Sequence, residues 1–116
     1  MYKIFQQGEV RVMKIDRLPK GMATKPVATD DKGRAIISHS ESGNHHVIAG
    51  ADVLERTDKV PAGMAILYAI VRNPTALKHD APSSHAEIPL EADSIYELRI
   101  SREFDPFAEQ IRRVAD

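Results

Sequence analysis

The chain has 116 residues, 42% hydrophobic and 28% charged, which suits a single soluble globular domain over residues 1–116 and not a disordered chain. It has no cysteine, which excludes disulfides, thiolate catalysis and cysteine-based zinc sites. A net charge of −1 argues against a broad nucleic-acid surface, so no nucleic-acid partner is expected.

In chain order, residues 2–5 and 9–15 read as extended, with Val10 and Val12 alternating against Glu9 and Arg11 and Gly8 suited to a bulge between the pieces. Leu18-Pro-Lys-Gly21 is a turn, and residues 22–29 around Pro26 form a loop or irregular edge. Asp30-Asp-Lys-Gly33 is the strongest hairpin turn, leading into a strand over 34–39. After the polar loop 40–44, His45 to Ala49 and Ala51 to Arg56 are short strands separated by Gly50. Met64 to Arg72 is a continuous apolar run between turns, which predicts a strand buried on both faces. It is far shorter than the roughly 20 residues that span a bilayer. The opening Met-Tyr-Lys-Ile-Phe-Gln-Gln lacks the apolar core of a signal peptide, so neither membrane nor export is expected.

Thr75 to Lys78 and His85 to Leu90 are further extended pieces, with Pro89 marking an edge. Ser94 to Phe104 alternates cleanly and predicts the central strand, with Tyr96, Leu98 and Ile100 buried against Ile66 or Ile70. In the tail, Asp105 can cap, Pro106 suits a first helical position, and Phe107, Ile111 and Val114 share a helical face. The pattern is mainly β: a small single-domain barrel or jelly-roll-like sandwich with a short C-terminal helix.

Histidine is the residue class that merits a site hypothesis. His45 and His46 are adjacent, so in a strand they point to opposite faces. With His79 and His85 they are the candidate imidazoles for a zinc or iron ion, with Asp80 or Glu87 as carboxylate. The competing and preferred reading is strand-end histidines bonded to backbone or water, with no metal and no cofactor. No phosphate loop or nucleophile elbow is present. Charge is uneven. Residues 1–35 carry eight Lys/Arg and four Asp/Glu (+4), residues 36–98 four and nine (−5), and residues 99–116 four and four. The halves either interleave or form a surface that docks on copies of itself or on a charged partner. Lys3, Phe5, Phe107, Ile111 and Arg112 are the interface candidates.

Four phrases carry a resemblance: Gln6-Gln-Gly-Glu-Val10, Ser42-Gly-Asn-His-His-Val-Ile48, the His79…His85 segment leading to Ile88-Pro-Leu90, and the ending Tyr96…Arg102-Glu-Phe-Asp-Pro106…Arg112-Arg-Val-Ala-Asp116. Together the chain resembles a family of short uncharacterised bacterial and phage proteins. The resemblance implies no activity, only company, and hence a location inside a bacterial host or in a virion. A fainter similarity is to cupins, metal-holding β-barrels. Their two histidines stand one residue apart, whereas His45 and His46 are adjacent and Glu55 is too far along to serve as the carboxylate. The resulting expectation is a non-enzymatic structural or interaction protein, such as a capsid-decorating subunit, which self-associates or joins a larger assembly. Two alternatives stay open: a cupin-like metal-dependent enzyme or small-molecule sensor, and a phage inhibitor of a host complex.

Overall fold

The computed structural model describes residues 3–39, 45–80 and 86–101. Among these residues ten strands follow one another: β1 Ile4–Gln7, β2 Val10–Ile15, β3 Thr24–Pro26, β4 Ala35–Ser38, β5 His46–Ile48, β6 Ala51–Arg56, β7 Met64–Val71, β8 Thr75–His79, β9 Ile88–Leu90 and β10 Ser94–Ser101. They form two antiparallel sheets, one ordered β1-β2-β10-β7-β6-β3 and one ordered β4-β5-β8-β9. The barrel expectation is corrected to two packed sheets. The chain bends from one sheet to the other instead of closing a single sheet on itself. The expected C-terminal helix lies outside the described residues.

Three bends make the crease between the sheets. β5 passes into β6 at Gly50, β7 into β8 at Asn73-Pro74, and β9 into β10 at Asp93. Gly50 and Asp93 hold φ of 68° and 53°, a region that reverses the strand's course. A fourth passage follows β3, where the Ile36 N–H donates to Ala28 O at 2.9 Å and Thr29 bridges Ala35. That passage closes through Asp30, whose carboxylate accepts from the Lys32 and Arg34 N–H groups at 3.0 and 2.8 Å. Gly33, at φ 76°, completes the expected turn.

β10 occupies the interior of the larger sheet, and Tyr96, Leu98 and Ile100 are buried on its inner face. Their neighbours on β7 are Ala69, Leu67 and Ala65. Ile66 and Ile70 pair instead with Arg99 and Ile95, so they lie on the opposite face from the expected contact. A strand apolar on both faces cannot reveal which of its two sets faces the core. The core joins those inner residues to Ile37, Ile48, Leu77, Ile88 and Leu90 of the smaller sheet. Each such side chain contributes roughly 1.5–3 kcal/mol by leaving water. The charged halves interleave: Lys14 meets Glu91 at 2.8 Å and Arg34 meets Asp80 at 2.5 Å.

Candidate functional site

The β1–β2 hairpin holds both regions of interest. Gln7 pairs with Val10, leaving Gly8 and Glu9 as a two-residue turn. Gly8 has φ 58° while Glu9 is not in the positive region, the pattern of a II′ turn, which needs glycine first. Gly8 is thus a hairpin turn and not the expected bulge. Its turn matches strand twist and carries the hairpin tip over the smaller sheet.

At the tip, Gln7 is fully buried. Its Nε2 donates to Leu77 O and to Ala86 O, both at 3.0 Å. Its Oε1 lies 2.8 Å from His46 Nδ1. With both amide hydrogens committed to carbonyls, Oε1 must accept, so His46 Nδ1 carries a proton. His46 Nε2 lies 3.2 Å from Glu9 Oε2, and the Ser38 hydroxyl donates to Glu9 Oε1 at 2.6 Å. Burial pushes the Glu9 carboxyl up, but the Ser38 hydroxyl, its own backbone N–H and His46 outweigh it and hold it below the ordinary value. Glu9 is thus held as a carboxylate, which accepts from the Ser38 hydroxyl and accepts from His46 Nε2 when that nitrogen carries a proton. His79 pairs with His46 across the strands and stacks on it, rings 4.1 Å apart and nearly parallel.

This set contains a serine, a histidine and a carboxylate but not in an order that activates a nucleophile. The imidazole does not meet the hydroxyl, and the carboxylate that does is weakened as a base. The arrangement instead ties the hairpin of one sheet to β4 and β5 of the other through the Glu9 carboxylate and to β8 through the Gln7 amide. His45 turns the other way and meets His39 edge-on at 5.3 Å. His46 directs one nitrogen at Gln7 and the other at Glu9. Among the described residues no group of three or more His, Cys, Asp or Glu gathers as metal ligands. His85 lies outside those residues.

The start of β1 has the opposite character. Ile4 is 64% exposed and Phe5 48%. Lys3 is exposed beside them. Ile4 sits with Met13 on the outer face, and Phe5 with Val12 on the inner one. Phe107, Ile111 and Arg112, the other expected interface residues, lie outside the described residues.

A family model described as a domain of unknown function (DUF8820) matches residues 6–100. The chain belongs to the DUF8820 family. No curated protein and no solved structure matches it. The DUF8820 match takes in the whole buried tie from Gln7 to His79, whereas Lys3, Ile4 and Phe5 precede it.

Sequence reading missed Gln7, Glu9 and Ser38 as a unit, although two of the quoted phrases contain Gln7, Glu9 and His46. It placed the Lys3–Phe5 segment at the interface but named Phe5 as its apolar anchor and not Ile4, the more exposed of the two.

Proposed function

We propose that this DUF8820 protein is a non-enzymatic interaction protein whose working surface is the β1 edge. The observation that carries this reading is that β1 differs from the other sheet edges. Edge strands template pairing with foreign strands unless something blunts them. β3 carries Lys25 and Pro26, β9 carries Pro89, and β4 has an irregular register and is flanked by residues 28–29. β1 has neither proline nor register shift, and it presents Ile4 and Phe5. The resemblance to short bacterial and phage proteins supplies the setting: a subunit that decorates or cements a larger assembly such as a capsid. The metal-enzyme alternative has less support, because His46 spends both nitrogens within the tie.

The test is native mass spectrometry of the untagged full chain, alone and with assembled capsids or host complexes, beside an Ile4→Ser/Phe5→Ser variant. An assembly that forms with wild type and not with the folded variant supports the reading. Equal assembly by both, or none by wild type, contradicts it.

A further inference from the structure

Next to the β1 edge, the outer face of the larger sheet is hollowed into a groove of about 260 Å³, lined by Ile4, Arg11, Met13, Glu97 and Arg99. The registers give its layout. One row across the strands runs Gln6, Arg11, Arg99, and the next runs Ile4, Met13, Glu97. Arg11 and Arg99 are therefore direct cross-strand neighbours, and like charges in that position oppose each other. Arg99 is paired along its own strand with Glu97. Arg11 forms no ion pair with any described residue and is exposed. Two guanidinium groups thus face one carboxylate, above a floor of Ile4 and Met13.

We infer that this groove receives an acidic segment of a partner protein, which sets an apolar side chain on Ile4 and Met13 and a carboxylate on Arg11. The inference rests on the β1 edge being the working surface and names the chemistry of what docks there. An arriving carboxylate relieves the Arg11–Arg99 repulsion and pairs with a planar donor suited to bidentate contact. The same charge argues against a second copy. A two-fold interface sets each patch against itself, and here it would bring Arg11, Arg99 and Lys3 of each copy toward those of the other. Opposite charge, by contrast, steers the encounter and sets specificity.

Two blocked peptides that differ only in charge make the test: acetyl-(Glu-Val)₃-amide and acetyl-(Gln-Val)₃-amide, titrated into the isotope-labelled full chain while amide resonances are followed. The expected result is that the acidic peptide shifts residues 4–6, 11, 13, 97 and 99 and binds about tenfold tighter than the neutral one, the worth of one extra charged contact. That advantage vanishes in Arg11→Gln/Arg99→Gln and shrinks at about 0.5 M salt, where exposed charges are screened beyond a few ångströms. Equal binding by both peptides at the edge overturns the acidic partner and leaves the edge reading standing. No binding, or shifts confined to another face, overturns both. Binding gained only after deleting residues 102–116, which carry Glu103, Asp105 and Glu109 among apolar side chains, assigns the groove to the chain's own tail and overturns the inference. A dimer lost in Ile4→Ser/Phe5→Ser overturns it in favour of a second copy.

Discussion

Phe5 and Gln7 stand two residues apart on one strand and one face, and their environments are the reverse of what hydropathy predicts. The phenylalanine is 48% exposed and the glutamine is fully buried. The difference lies in what the smaller sheet offers each. Gln7 meets two backbone carbonyls and an imidazole, which satisfy its amide, whereas Phe5 is left half-exposed. Burial of a polar group is tolerated when each of its atoms has a partner. Exposure of an aromatic group on an unblunted edge has no such internal explanation, and it directs attention outward.

The sharpest way to break the comparison is to remove the amide. Gln7→Ala strands two carbonyls and the His46 N–H, and each unsatisfied group costs about 1–3 kcal/mol before relaxation. The expected loss in denaturant unfolding is about 2–5 kcal/mol, the same range as Leu98→Ala in the core. A loss under about 1 kcal/mol would show that the tie is not closed as described.

The next effect is pH-dependent. Glu9 is held below its ordinary pKa of 4.5 in the folded state, so the stability it contributes is present above that value and is lost as pH falls through the folded value. Glu9→Gln is expected to flatten the wild-type fall in stability over that acid window. Asp30, Asp58, Asp80 and Glu91 are also lowered, so the difference between the two proteins, not the wild-type curve, is the quantity to measure. Identical slopes would contradict the assignment.

The smallest effect on stability belongs to the exposed end. Ile4→Ser/Phe5→Ser is expected to change unfolding free energy by no more than about 1 kcal/mol, since both side chains remain well exposed in the fold. A cost of several kcal/mol would place them in a core.

The legible part of the fold was the part written in periodicity and turn chemistry. The alternation of Tyr96, Leu98 and Ile100 located β10, Asp30 to Gly33 the turn that leads into β4, and Pro26 and Pro89 two sheet edges. Pairing was less legible. Met64 to Val71 is apolar on both faces, and Ile66, Leu67, Tyr68 and Ala69 are all buried, so nothing local could tell that Leu67 rather than Ile66 is the neighbour of Leu98. The tie at the hairpin tip was hidden for another reason. Gln7, Glu9 and Ser38 are ordinary surface residues by composition; only the crease that lays one sheet over the other brings Gln7 and Glu9 to His46, and Ser38 meets it through the β4–β5 register. Of the candidate interface, Lys3 and Phe5 were found because they open the chain on an extended segment, while Arg11 and Arg99 are distant in sequence and meet through the β2–β10 register.

The most direct measurement is amide hydrogen exchange along β1. Glu9 O accepts from the Ser101 N–H on the β10 side, so Val10 and Val12 turn their backbone groups toward β1 and pair with Gln7 and Phe5. Ile4 and Gln6 therefore point theirs to the free edge. In the free protein the amides of Ile4 and Gln6 should exchange quickly and those of Phe5 and Gln7 slowly, and in the assembly all four should be slow. Slow exchange at Ile4 and Gln6 in the free protein, or continued fast exchange once assembled, would contradict the β1 edge as the working surface.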